Sequence, residues 1–287
     1  MNILISPQAF KGSISATEVA NNIEKGILKS SANHKTIKLP IADGGDDTLQ
    51  TLVDITNGQI YETNATGPDG EIIKTQWGAL GDGKTAVIEM AKISGLALIK
   101  KRQLDPILYT SYGMGEVIKN CLDRGYRKFI IGIGGSATND GGLGMAQALG
   151  AILKDQNGNI INKGISGLKN LLKIDISNMD CRIGKSVFQI ACDVNNPLYG
   201  LDGATYVFGP QKGIKKQQLE TVDMYMKNYG NIIDKLSKNK ISSYPGSGAA
   251  GGIGAATMFF LNANLQSGSE IILDFLEFEK KCKGIDL

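Results

Sequence analysis

The residues best suited to chemistry stand in the glycine-rich stretch 132–142, between an apolar run at 128–131 and a helical pattern at 143–149. Glycine allows backbone N–H groups to approach an anion closely, and the start of a helix adds a partial positive charge. The stretch therefore predicts a cradle for a phosphate or carboxylate, with a tight strand-to-helix connection as the alternative. The candidate ligand-binding residues are Gly134, Gly135, Ser136, Thr138, Asn139 and Asp140.

A single carboxylate follows a second buried strand pattern. Asp193 comes directly after the apolar run 187–192 and precedes Asn195, Asn196 and Pro197. An aspartate at the carboxyl end of a strand can act as a general base or as a metal ligand. A residue that only shapes the turn is the alternative. We predict that Asp193 is the base or a metal ligand, and that Asn196 lies beside the ligand.

Two loops near the N-terminus also follow short strand patterns. The first lies between a strand pattern at 3–5 and a helix whose start is indicated by the capping-box spacing of Ser15 and Glu18. Ligands of open α/β sheets gather at such strand ends. The alternative to ligand binding is that the lysine is only solvated and that the acidic residues only favour the start of a helix. The candidates in these two loops are Phe10, Lys11, Asp43, Gly44 and Gly45.

A second glycine run, residues 245–254, precedes a helix of small residues. It predicts either a second cradle, with Gly248 and Gly251 as candidates, or a helix that packs tightly through its glycines. None of the glycine runs matches GxxxxGK[ST] or a strand-bound GxGxxG. A nucleotide would therefore bind without a P-loop or a dinucleotide fingerprint.

Composition excludes several classes of function. The net charge of +3 is dispersed, which is too little for a nucleic-acid surface, so no nucleic-acid partner is expected. The four cysteines are widely spaced and form no CxxC pair, which argues against a zinc site and fits a reducing cytoplasm. The only histidine is His34, which argues against Ser-His or Cys-His chemistry. No apolar stretch is long enough to span a membrane, and no signal peptide is recognised.

The chain changes its periodicity after the first pair of strand and helix patterns. From Gly58 onwards apolar residues alternate, and Asp-Gly turns occur at 67–70 and 80–83. These turns predict an antiparallel hairpin or meander. The change places a domain boundary near residues 60–67. Residues 163–182 show no regular pattern, whereas 217–236 predicts a long helix with Met226 and Tyr229 in the core.

Taken together, these segments resemble the bacterial type I glycerate kinases. The similarity covers essentially the whole chain, in order and at natural spacing. The matching segments are residues 6–13, 42–45, 87–91, 94–96, 110–113, 132–142, 191–198, 208–213 and 246–252.

The resemblance implies an α/β fold with a flavodoxin-like (Rossmann-like) parallel-sheet domain, a central mixed α/β domain and a site in the cleft between them. Residues 1–64 would form the N-terminal part of the flavodoxin-like domain, and 65–287 the central domain. Relatives continue beyond the position of Leu287, so the C-terminal part of the first domain is expected to be missing. Gln8 stands where the family commonly carries an aspartate, and an amide ligates Mg²⁺ weakly.

The implied activity is Mg²⁺-assisted, ATP-dependent phosphorylation of glycerate to 2- or 3-phosphoglycerate in the cytoplasm. Asp193 would be the base, with Asp43 as the alternative, and Lys11 would neutralise the transferring phosphoryl group or the substrate carboxylate. A second hypothesis is a catalytically impaired protein that binds glycerate or nucleotide without turnover. A dehydrogenase-like fold that binds NAD is a third hypothesis. The oligomeric state stays open, with a homodimer as the candidate assembly.

Overall fold

The computed structural model describes residues 1–10, 13–42, 48–99 and 105–287. The chain combines helices with a mixed sheet and a parallel sheet, which confirms the predicted α/β class. The strands are β1 Asn2–Ile5, β2 Lys35–Lys38, β3 Gln59–Thr66, β4 Ile72–Ala79, β5 Thr85–Glu89, β6 Lys128–Gly132, β7 Ile152–Lys154, β8 Lys173–Asp175, β9 Val187–Ala191 and β10 Asn264–Gln266. The helices are α1 Ala16–Ser30, α2 Thr48–Ile55, α3 Ala91–Ser94, α4 Tyr112–Asp123, α5 Leu143–Ala148, α6 Ile165–Asn170, α7 Ala204–Phe208, α8 Leu219–Ser237, α9 Ala249–Leu261, α10 Gly268–Phe275 and α11 Phe278–Lys281.

The largest sheet is mixed and has the strand order β10-β9-β6-β5-β4-β3. The pairs β10–β9, β9–β6 and β6–β5 are parallel, whereas β5–β4 and β4–β3 are antiparallel. The antiparallel part confirms the meander predicted from the Asp-Gly turns. In the second of these turns, Asp82 accepts hydrogen bonds from the N–H groups of Lys84 and Thr85, both at 2.9 Å.

Helices cover both faces of this sheet because the side chains of its central strands alternate between two apolar clusters. In β6, Phe129 and Ile131 join the larger cluster, to which α4, α5, α8 and α9 contribute. Ile130 points the other way, into the cluster formed with residues of α2 and α10. Met226 and Tyr229 lie in the larger cluster, as the sequence predicts.

A smaller parallel sheet joins β1 to β2, and α1 connects the two strands. The predicted capping box at the start of α1 is present, since Ser15 and Glu18 exchange hydrogen bonds. After β2, Leu39 and Ala42 pack in the cluster on the α2 face of the large sheet. The division into domains at residues 64 and 65 stays a prediction.

One local expectation was wrong. Residues 163–182 contain α6 and β8, both too short to give a periodic signal. No helix in the described part of the chain combines the length and the hydropathy that crossing a membrane requires.

Candidate active site at the carboxyl edge of the large sheet

The four parallel strands of the large sheet end side by side. In the strand register, Glu89 is paired with Gly132, Gly132 with Ala191, and Ala191 with Gln266. Neighbouring strands lie about 4.8 Å apart. The glycine-rich stretch after β6 and Asp193 after β9 therefore emerge at adjacent positions on one edge. Ligands of α/β sheets bind at such an edge.

The first part of the stretch, Gly134 to Ser136, forms an open turn. Gly135 has a positive φ of 69°, which glycine adopts without strain. The turn is held in place because Leu96 N–H donates to the Gly135 carbonyl at 2.8 Å and Ala137 N–H donates to the Ser94 carbonyl at 2.8 Å. The N–H groups of Gly134, Gly135 and Ser136 donate to no acceptor in the described part of the chain. Gly134 and Gly135 are exposed, so these N–H groups can serve an external anion.

The second part of the stretch, Thr138 to Asp140, is fully buried. The Asn139 side-chain amide donates to Thr205 Oγ1 at 3.0 Å. Thr138 Oγ1 and Asn139 Oδ1 are buried without a hydrogen-bond partner among the residues described. The six candidates of the stretch thus divide into an exposed rim, residues 134–136, and a buried support, residues 138–140. Within the rim Gly134 and Gly135 are exposed, whereas Ser136 is only 7% exposed.

The buried Asp140 carboxylate accepts hydrogen bonds from the starts of two helices, α4 and α5. Its Oδ2 accepts from the Ser111 N–H and the Ser111 hydroxyl, both at 2.8 Å, and from the Gly144 N–H at 3.3 Å. Its Oδ1 accepts from the Gly142 N–H at 3.0 Å. Burial raises the pKa of the Asp140 carboxyl, and the hydrogen bonds from Ser111 and Gly142 oppose that rise. Asp140 therefore holds the starts of α4 and α5 in place beside the exposed rim.

The second glycine run packs against the first one. A Cβ on Gly251 would collide with the Thr138 carbonyl, and the Gly251 carbonyl accepts a hydrogen bond from Gly141 N–H at 3.0 Å. A Cβ on Gly248 would likewise collide with the Pro197 carbonyl, and the Gly248 N–H donates to the Asn196 carbonyl at 2.9 Å. Both glycines therefore permit close backbone approach. These contacts match the packing alternative.

Gly251→Ala is expected to destabilise the fold by about 2–4 kcal/mol, because a side chain at φ +70° is strained and the new methyl group would overpack the interior. Urea unfolding measures the change. Gly26→Ala is the matched control, since Gly26 lies in α1 with open space around its Cα. The control should raise stability by about 0.5–1 kcal/mol. Equal stabilities of the two variants would contradict this account of Gly251.

Asp193 is exposed and lies at the start of α10. Its Oδ1 accepts from the Ser267 hydroxyl and from the Gly268 N–H, both at 3.0 Å. Its Oδ2 has no hydrogen-bond partner in the described ranges, so this oxygen is available to a hydroxyl proton or a cation. In those same ranges no three acidic, histidine or cysteine side chains cluster in a way that could hold a metal. Mg²⁺ commonly takes one or two protein carboxylates together with substrate phosphates, a role that the Asp193 oxygen fits.

The remaining candidates are Asn196, Phe10 and four residues that the structure does not describe. Asn196 is half-buried, and its side-chain amide donates to the Asp202 carbonyl at 2.8 Å. Phe10 follows β1 in the smaller sheet and is 64% exposed. Lys11, Asp43, Gly44 and Gly45 lie outside the described residues.

Two charged residues of the site were not predicted from the sequence. Glu89 ends β5, is buried, and accepts a hydrogen bond from Leu49 N–H at 2.7 Å at the start of α2. Lys212 is also buried, and it contacts the glycine-rich stretch from behind. Glu89 could have been predicted as a site residue, because it is a carboxylate directly after the apolar run 85–88. No periodic pattern identifies Lys212.

Comparison with known proteins gives consistent matches over the whole chain. Residues 3–287 match the profile of the glycerate kinase family. The chain is 47% identical to a glycerate 2-kinase of Escherichia coli K12, over 98% of this chain and 74% of that protein. It is 45% identical to a glycerate kinase of Bacillus subtilis, over 100% of this chain and 75% of that protein. A crystal structure from Salmonella typhimurium LT2, provisionally described as glycerate kinase 2, aligns with a TM-score of 0.97 at 45% identity, over 100% of this chain and 76% of that one.

Proposed function

Because the chain belongs to the glycerate kinase family, we propose that it transfers the γ-phosphoryl group of ATP to a hydroxyl group of glycerate. The observation that carries this proposal is that the backbone N–H groups of residues 134–136 and Asp193 Oδ2, which follow neighbouring strands, have no hydrogen-bond partner among the described residues. Phosphoryl transfer asks a protein mainly for positioning and for neutralisation of charge. An anion cradle next to an exposed carboxylate meets both needs.

In the proposed reaction, Asp193 Oδ2 accepts the proton of the glycerate hydroxyl. The hydroxyl oxygen of glycerate forms a bond to the γ-phosphorus in the same step. The bond between the γ-phosphorus and the bridging oxygen of ADP breaks, and the electron pair stays on ADP. The hydrogen bonds from Ser267 and Gly268 hold the Asp193 carboxylate in one orientation. The rim 134–136 binds the glycerate carboxylate or a phosphate of the nucleotide through its N–H groups.

Magnesium, when bound, would neutralise charge on the phosphates of the nucleotide. In the alternative role of Asp193, its Oδ2 would hold this ion or one of its waters instead of taking the hydroxyl proton. Asp43 is the alternative base, and Lys11 is proposed to neutralise the transferring phosphoryl group or the substrate carboxylate. We further propose that the two domains, residues 1–64 and 65–287, enclose the site between them. The name of the E. coli relative favours 2-phosphoglycerate as the product.

The direct test is release of ADP from Mg·ATP by the purified chain with D-glycerate, followed in a coupled assay. We expect release that depends on glycerate and on Mg²⁺, and ³¹P NMR would assign the product as 2- or 3-phosphoglycerate. A reaction without glycerate controls for ATP hydrolysis. Calorimetric binding of glycerate without any release of ADP would contradict the kinase proposal and favour the impaired binding protein.

A further inference from the structure

Lys212 is a buried cation directly behind the exposed rim of the site. It is only 1% exposed, and it ends a 3₁₀ turn, Pro210–Lys212. The turn is fixed because Lys212 N–H donates to the Gly209 carbonyl at 3.0 Å and Gly213 adopts a positive φ of 100°. The two glycines therefore direct a charged side chain into the interior, which is rare unless the charge is paired or used.

The Lys212 ammonium group binds the two parts of the glycine-rich stretch together. Its Nζ donates to Ser136 Oγ at 2.8 Å and to the Thr138 carbonyl at 2.7 Å. The ammonium group also interacts electrostatically with the buried Asp140 carboxylate. Burial lowers the pKa of Lys212 to about 7, and the Asp140 charge opposes that change. A nearby anion would favour the protonated form further.

The contact with Lys212 determines which way the Ser136 hydroxyl faces. Since Ser136 Oγ accepts a proton of the ammonium group, its own proton must be donated to a different group. Across the described ranges, no hydrogen bond has the Ser136 hydroxyl as its donor. Ser136 is 7% exposed and stands next to the open N–H groups of Gly134 and Gly135. Thr138 Oγ1, which is buried and has no hydrogen-bond partner in the described ranges, lies two residues further on.

We propose that Lys212 is a positioning residue that fixes the Ser136 hydroxyl so that it donates its proton to the anion bound by residues 134–136. This inference rests on the proposed function and adds a fourth donor to the three backbone N–H groups. The ligand group is an oxyanion, either the carboxylate of glycerate or a phosphate of the nucleotide. The buried ammonium charge strengthens the hydroxyl as a donor, because a charge-assisted chain polarises each bond along it.

The test compares Lys212→Met, Ser136→Ala and the double variant, with D-glycerate and Mg·ATP as separate calorimetric probes. We expect each single variant to weaken binding of one probe by about 10- to 100-fold, as loss of a charge-assisted hydrogen bond does. The double variant should bind no worse than the weaker single one, because both changes remove the same donor. The probe that is affected identifies the oxyanion. Lys216→Met, which removes an exposed lysine four residues away, is the matched control and should bind as the wild type does.

A protonation readout separates this role from a purely structural one. Because burial lowers the pKa of Lys212 to about 7, binding of the anion at pH 8 should draw a proton onto it. Calorimetry in buffers of different ionisation enthalpy should show this uptake in the wild type and none in Lys212→Met. Affinity should fall as the pH rises above about 7, since the ammonium form is lost.

Several outcomes would overturn the inference. Unchanged affinity for both probes in a folded Lys212→Met would overturn it. It would also be overturned if the fold losses in affinity of the two single variants multiplied in the double variant. If Lys212→Met fails to fold by circular dichroism, absence of proton uptake in the wild type is decisive against it. A wild type that binds neither probe overturns the anion site itself. Binding that depends on Lys212 without release of ADP keeps this inference and contradicts only the kinase proposal.

Discussion

Replacing Asp193 by asparagine is expected to lower kcat for phosphorylation of glycerate by about 10²–10⁴-fold, the usual contribution of a positioned base. The asparagine carbonyl can still accept the hydrogen bonds from Ser267 and Gly268, so the start of α10 stays capped. The loss should therefore appear in kcat, measured by steady-state kinetics, while the unfolding midpoint changes little.

The matched control for this variant is Asp274→Asn. Asp274 is an exposed carboxylate on α10, the helix whose start Asp193 contacts, and its replacement removes the same charge. We expect this control to retain wild-type kcat. Unchanged turnover in Asp193→Asn would exclude Asp193 as the base and leave Asp43 as the remaining candidate.

Asp140→Asn is expected to destabilise the protein by about 2–4 kcal/mol. The carboxylate oxygens accept from Ser111, Gly142 and Gly144, and an amide NH₂ in place of either oxygen would face a donor. The buried Asp140 charge also favours the protonated form of Lys212, so its loss should lower the pKa of Lys212 further. Chemical unfolding measures the stability change, and glycerate affinity measures the effect on the rim.

The exposed Asp274→Asn serves again as the control here, with an expected change within about 0.5 kcal/mol. A stability of Asp140→Asn equal to that of the control would show that the buried carboxylate does not join α4 to α5. Retained stability with lost affinity would instead favour a direct contact between Asp140 and the ligand.

Local sequence signals predicted much of the frame around the site. The apolar run before Gly132 and the glycines after it predict a strand, a turn and a helix, which are β6, the rim and α5. The Asp-Gly turns predict the antiparallel strands because their conformations suit tight reversals. These signals depend only on residues adjacent in sequence, so the local structure that they predict does not depend on distant contacts.

The division of the glycine-rich stretch into a rim and a buried support was not predictable in this way. Thr138 and Asn139 are buried because Gly251, more than a hundred residues away, packs its backbone against them. Lys212 reaches Ser136 across 76 positions of the chain. Burial of a polar residue depends on which distant segment covers it, and no local periodicity records that.

The central claim is that the N–H groups of residues 134–136 bind an oxyanion, and amide NMR tests it directly. Titration of the ¹⁵N-labelled chain with D-glycerate and, separately, with Mg·ATP should shift the amide signals of Gly134, Gly135 and Ser136 in at least one series. Gly158, in the exposed turn between Asp155 and Asn159, should not move. Saturable shifts confined to other residues, with the signals of 134–136 unchanged, would contradict the account.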